Sequence, residues 1–287
     1  MNRPIIFSLL VFLSWLPGLT AHAQEALSPA ASLWYAQPAA KWTEALPIGN
    51  GRMGAMVFGG TGSERIQFNE DTLWRGKPHD YVRAGAGEQL AEIRRLLADG
   101  KSKEATALAK EKFLSDPVRQ LPYQPFGDLR FQFPGHENAT DYRRELDLDT
   151  AIASVSYKVG EVTFKREVFA SHPDRVIVVR LTADKPGQIN FTLRMDSPHT
   201  NSQTRVIAPD TLALTGKVQA DGLSFESRVR VVANGGGVMT NGNALEVKDA
   251  DSATLLLVAN TSFVNFQDIS ADPVKRCAND LKALEKK

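Results

Sequence analysis

A single cysteine, Cys277, is all that 287 residues offer. No disulfide can close within one copy of the chain, so an exported protein of this composition has to be held by its apolar core. Charge of either sign is not in excess: 34 Lys and Arg against 33 Asp and Glu leave a formal net charge of +1. That balance argues against nucleic acid or an anionic membrane surface as a partner. Metal and nucleophile motifs are missing too. His79, His136, His172 and His199 are scattered without HxH or HExxH spacing, which speaks against a zinc site. No Gly-x-Ser-x-Gly elbow occurs, and "GNGR" lacks the Gly-Lys-Ser/Thr ending of a phosphate loop. No cofactor is expected.

Long apolar runs are absent with one exception. Ile5 to Leu19 is apolar apart from Ser8, Ser14 and Pro17; it follows Arg3 and precedes Ala21-His22-Ala23. This predicts a secretory signal over residues 1–23, because the run is shorter than the roughly 20 residues a membrane span needs. The mature product is expected to be exported, most simply to a bacterial periplasm, with no membrane attachment once the signal is removed.

What is present is mostly period-two alternation. Leu129, Phe131 and Phe133 share one face of "DLRFQF", as do Ala153, Val155, Tyr157 and Val159 in "ASVSYKV" and Ile189, Phe191, Leu193 and Met195 in "QINFTLRM". Val176 to Val179 and Leu255 to Val258 are apolar on both faces, which predicts central strands covered on both sides. Turn residues punctuate these runs at Lys185-Pro186-Gly187, Ala208-Pro209-Asp210, Asn234 to Gly237 and Asn241-Gly242-Asn243. The pattern predicts an all-β chain, a large antiparallel sandwich. Helical spacing interrupts it between Glu88 and Leu114, where two short helices are expected as an insertion. A last helix should start at Asp272, as N-cap, followed by Pro273. With no stop signal and little apparent bed to pack on, it reads as the start of a linker.

One stretch concentrates unusual residues: "LPIGNGRMGAMVFGGTGSERIQFNEDTLW", Leu46 to Trp74. Gly49, Gly51 and Gly54 allow positive φ or close backbone approach. Neighbouring residues of an extended strand point to opposite faces, so Glu70 and Asp71 cannot readily converge on one ligand. "NEDT" is expected to form a turn in which Asn69 or Asp71 accepts backbone N–H groups. Arg52 would either pair bidentately with a carboxylate across a domain boundary or face solvent. Trp34, Trp42 and Trp74 can stack on sugar rings, although tryptophan in a β unit more usually fills the core.

"LWYAQPAAKWTEALPIGNGRMGAMVFGG", "IQFNEDTLWRGKP", "YQPFGDLRFQF", "YRRELDLDTAIASVSYKVGEVTFKREVFASHPDRVIVVRLTADKPG" and "GLSFESRVRVVANGG" together resemble the N-terminal β-domain of glycoside hydrolase family 95, a family of exo-acting α-L-fucosidases with some relatives acting on α-L-galactosides. The resemblance implies a β-supersandwich over residues 24–270 and the start of a helical linker over 271–287. It also implies a catalytic (α/α)6 barrel that is absent here and that carries the general-acid glutamate and the asparagine and aspartate positioning the attacking water. The expected partners are therefore that barrel and, in a complete enzyme, a fucosylated glycan. No residue of this chain inherits a catalytic role. Asn50, Arg52, Asn69, Glu70 and Trp74 are the candidates for a domain interface or the mouth of the active site, and Trp34 and Trp42 for sugar stacking. The competing expectation is a free-standing exported sandwich that binds carbohydrate or a partner without catalysis.

Overall fold

A computed structural model describes residues 31–285. The expected signal over residues 1–23 lies outside the described residues. The strands, in chain order, are β1 (Ser32–Tyr35), β2 (Leu46–Gly49), β3 (Met53–Val57), β4 (Ser63–Glu70), β5 (Gly127–Gln132), β6 (Thr140–Asp147), β7 (Ile152–Val159) and β8 (Val162–Ser171). They continue as β9 (Val176–Ala183), β10 (Ile189–Asp196), β11 (Gln203–Ala208), β12 (Thr211–Lys217), β13 (Ser224–Asn234), β14 (Gly237–Asn241), β15 (Ala244–Ala250) and β16 (Ser252–Thr261). Among the described residues three α-helices accompany them: α1 (Leu90–Ala98), α2 (Ser102–Leu108) and α3 (Pro273–Leu284).

The strands form two antiparallel sheets, a nine-stranded one in the order β1-β6-β7-β8-β9-β16-β13-β12-β11 and a seven-stranded one in the order β14-β15-β10-β5-β4-β3-β2. One continuous core lies between them, with Phe68, Phe131 and Leu193 from the smaller sheet meeting Val155, Val179 and Leu257 from the larger. The alternation read in the sequence is the inner face of these strands: Leu129, Phe131, Phe133, Ala153, Val155, Tyr157, Ile189, Phe191, Leu193 and Met195 are all buried. Strand β4 alternates equally strictly, but its inward set is Glu64, Ile66, Phe68 and Glu70. Two carboxylates therefore enter the space between the sheets, one at each end of the strand. Glu64 is matched by Arg166 and accepts the backbone N–H groups of Phe58 and Gly59.

β9 and β16 lie at the centre of the nine-stranded sheet, as their two apolar faces predict. Ile177, Val179, Leu255 and Leu257 point into the main core. Val176, Val178, Leu256 and Val258 point outward and are covered by Cys277, Leu281 and Leu284 of α3. This corrects the expectation that the last helix has little to pack on: it lies on the outer apolar stripe of the sheet. Its start is as read, with Asp272 accepting the N–H groups of Val274 and Lys275 ahead of Pro273. The helical pair inserted between β4 and β5 is also as read. Its apolar residues Ile93, Leu96 and Ala105 bury against their own neighbours Leu108, Ala109 and Phe113 rather than against the sandwich core.

Candidate functional site

The glycine-rich stretch folds as a hairpin followed by a strand. Asn50, Gly51 and Arg52 form the loop joining β2 to β3, with Gly51 at φ +85°, the left-handed position that a three-residue hairpin loop calls for. Asn50 closes the loop: its Oδ1 accepts the N–H groups of Arg52 at 3.0 Å and Met53 at 2.7 Å. Gly49 and Gly54 face each other in register across the hairpin; of the three glycines only Gly51 uses positive φ.

This loop does not stand free; it crosses from the smaller sheet to the larger. Asn50 Nδ2 donates to the Ser171 carbonyl at 2.8 Å, at the end of β8. Arg52 Nη2 donates to the Ala259 carbonyl at 2.9 Å and to Asn260 Oδ1, both on β16. The same guanidinium lies 3.6 Å from Glu70 Oε1 and 3.8 Å from Asp280 Oδ2 on α3. Asn260 donates to Asp280 Oδ2 at 2.8 Å. Thr72, beyond β4, donates both its N–H (2.9 Å) and its hydroxyl (2.7 Å) to Glu70 Oε2 and meets the hydroxyl of Thr261. One polar network thus joins the two sheets to the last helix.

Above the network opens a cleft of about 610 Å³, lined among others by Asn50, Arg52, Glu70, Asp71, Thr72 and Asp280. Glu70 is 3% exposed. Its burial pushes the carboxyl from the ordinary 4.5 up to about 7; the nearby Asp71 charge adds to the rise, while the Thr72 hydrogen bonds and Arg52 oppose it. Asp71 lies on the exposed side of the turn. The two carboxylates thus differ in burial, although both line the cleft.

The remaining candidates divide. Asn69 does not line the cleft; it accepts the Phe126 N–H at 2.6 Å, a contact to the residue just before β5 rather than a local turn. The turn N–H expected to go to Asn69 or Asp71 goes instead from Thr72 to Glu70. Arg52 neither faces solvent nor grips a carboxylate bidentately; its partners lie within the chain. The core expectation for the tryptophans is overturned: Trp34, Trp42 and Trp74 are 56%, 55% and 36% exposed. Trp34 lies on the edge strand β1 with the Arg143 guanidinium 4.7 Å over its ring, and Trp42 sits in a short turn before β2. Neither lines the cleft. Trp74 does stand beside it, its Nε1 donating to the Asp71 carbonyl at 2.9 Å and its ring centroid 5.2 Å from that of Tyr123.

Asn260 and Asp280 escape sequence reasoning, yet each carries a trace. Asn260 ends the two-faced apolar run "TLLLVAN", where a polar side chain has to find a partner. Asp280 lies three residues from Cys277 and next to Leu281, at the edge of the helix's apolar stripe. Among the described residues there is no grouping of three or more His, Cys, Asp or Glu side chains suited to a metal ion.

Residues 33–266 match the family described as glycosyl hydrolase family 65, N-terminal domain. The chain is 41% identical over 290 aligned positions to a protein of Arabidopsis thaliana named Alpha-L-fucosidase 2, covering 91% of this chain and 34% of that protein. It is 30% identical to a Probable alpha-fucosidase A of Aspergillus niger, over 80% of this chain and 30% of that one. A Probable alpha-fucosidase A of Aspergillus oryzae is 25% identical over 83% of this chain and 34% of its own length. The chain spans about a third of the length of these curated relatives. With two stacked antiparallel sheets under a family match that covers nearly all of them, the chain belongs to the glycosyl hydrolase family 65 N-terminal domain family.

Proposed function

We propose that this chain is the non-catalytic N-terminal domain of an exported, exo-acting glycoside hydrolase of family 95, and that the enzyme to which it belongs hydrolyses terminal α-L-fucosides with inversion. The observation that carries the reading is the 41% identity to a protein named Alpha-L-fucosidase 2 over nearly the whole chain but only 34% of that protein. Inversion requires two carboxyl groups on opposite sides of one sugar, roughly 6.5–9.5 Å apart. Here Glu70 is buried against Arg52 and Thr72 while its neighbour Asp71 is exposed, and adjacent carboxyls do not flank one sugar; the acid and the water-positioning groups are therefore assigned to the (α/α)6 barrel of the larger polypeptide.

The domain's part is to hold and shape that barrel's edge. A cleft in which Asn50, Arg52 and Glu70 join both sheets to α3 suits a docking face, because its side chains are already fixed before a partner arrives. Trp74, held by its bond to the Asp71 carbonyl and by Tyr123, would stand at the mouth, while Asn69 ties β4 to the chain just before β5 through the Phe126 N–H. Residues 1–23 serve as the export signal, with the periplasm as destination.

The test is α-L-fucosidase activity on an aryl α-L-fucoside. This chain alone should leave the substrate intact. A polypeptide in which it continues into the barrel should release β-L-fucose as the first-formed anomer and lose activity with Arg52→Ala or Glu70→Ala. Turnover by the chain alone that vanishes with Glu70→Gln would place the chemistry in this domain instead. A longer polypeptide that releases no fucose would overturn the fucosidase reading.

A further inference from the structure

The polar cleft does not end at Asp71. Asp71, Thr72 and Phe263 are shared with a second cleft of about 280 Å³ that runs past Trp74 and Phe266. That second cleft shares Pro78 and Phe266 in turn with a third, which reaches His79 and Asp80. The three make one groove, polar at the Arg52 end and aromatic in the middle.

Two exposed rings line the aromatic part, one on an ordered turn and one held by its own contacts. Phe266 is 78% exposed, yet it sits at the tip of a turn closed by backbone hydrogen bonds from Val264 and Asn265 to the Asp268 carbonyl, at 3.0 and 3.1 Å, and from Asp268 back to Asn265 at 3.0 Å. Trp74 opposite is held by its Nε1 bond to Asp71, by Tyr123 beneath its ring and by a β-bridge to Tyr123. A ring held as Trp74 is loses little freedom when something packs on it, and the closed backbone turn sets where Phe266 is presented. Between them run hydrogen-bonding groups of both signs: Asp71, Arg75 and Lys77, the last tied to Asp221 at 2.6 Å.

We propose that this aromatic middle of the groove is a binding subsite for the neutral sugar units of a glycan. The proposal rests on the glycoside hydrolase reading for the class of ligand, and it deepens that reading by assigning part of substrate recognition to this domain. A pyranose ring presents an apolar C–H face and a rim of hydroxyls, the complement of exposed aromatic faces edged by mixed donors and acceptors. A lipid would need a wall without charges. A nucleic acid would need an excess of positive charge, which Asp71, Asp80 and Asp221 remove. The volume of the cleft suits about one or two rings.

Tryptophan fluorescence reads the site directly once Trp15, Trp34 and Trp42 are replaced by phenylalanine, leaving Trp74 as the sole indole. The chain so altered is titrated with lactose and with 2′-fucosyllactose. The expected result is a saturable change in Trp74 emission with half-saturation on the order of 1 mM, weakened about tenfold or more by Phe266→Ala. The thermal midpoint should be unchanged by that substitution, since Phe266 is exposed. No response up to ~10 mM of either sugar, or a response that survives Phe266→Ala, overturns the proposal. A silent titration together with a Phe266→Ala change in oligomeric state overturns it too and makes the groove a protein contact. No hydrolysis is measured, so the two readings fail separately: sugar binding by this chain beside a longer polypeptide that releases no fucose would sink only the fucosidase reading.

Discussion

Glu70 sits in surroundings that oppose its usual charged form. Buried between sheets and shifted from 4.5 to about 7, it takes up a proton more readily in the folded chain than in the unfolded one. The sign follows: the folded state is favoured while Glu70 is protonated, and that advantage is lost as pH rises from about 4.5 through 7, up to about 3 kcal/mol in all. Glu70→Gln should remove this part of the pH dependence. Chemical denaturation of wild type and variant across that window should show curves that diverge as pH rises; parallel curves would contradict the assignment. Arg52 offsets some of the cost. Arg52→Ala is expected to destabilise by about 2–3 kcal/mol at pH 8, where an ionised Glu70 is left buried, and by less at pH 5. The partners of Arg52 could not be read from the chain in advance. Asn260 is 208 residues away from it, and which strand end of one sheet meets which loop of the other depends on how the two sheets stack, not on any local period.

At the scale of elements, α3 lies on an apolar stripe of the larger sheet, with Cys277 fully buried and Leu281 3% exposed. Burial pushes the Cys277 thiol up to about 12, and Sγ donates to the Glu226 carbonyl at 3.1 Å. A thiol reagent should therefore react only when the helix lifts. Leu281→Ala removes contacts worth about 2–5 kcal/mol, so the labelling rate of Cys277 should rise on the order of 30-fold or more; an unchanged rate would mean that the helix is held elsewhere. Asp272→Ala, which deletes the cap, should raise it by a smaller factor, in line with about 1 kcal/mol. The double-sided apolar pattern of β9 and β16 is legible in the sequence, because burial on both faces leaves no polar alternation. What covers the outer face is not, since an amphipathic stripe is compatible with any apolar surface. The tryptophans fail for a related reason: residue type reports a preference for burial, while Trp34 and Trp42 sit on an edge strand and a short turn that have no second layer above them.

For the whole molecule, the network of Arg52, Glu70, Thr72, Asn260 and Asp280 has members on both sheets and on α3. Unfolding is expected to be a single transition, with Trp74 fluorescence at the junction and far-ultraviolet circular dichroism of the strands reporting the same midpoint. Separate midpoints would show that the sheets part independently. The spectrum itself should be that of a β protein.

The helical insertion has a different consequence, one of architecture over time. Strands β4 and β5 are direct antiparallel neighbours, and the chain leaves and re-enters through the bridge between Trp74 and Tyr123, with the helices burying their apolar residues among themselves. The excursion between those two residues is thus a cassette closed at its neck. Lengthening a loop changes its closure entropy only slowly, by about 0.6 kcal/mol per doubling. Such a segment can grow, shrink or be exchanged while the sheet register beneath it stays put, which makes it the place where descendants of one sandwich can acquire different rims around the same groove.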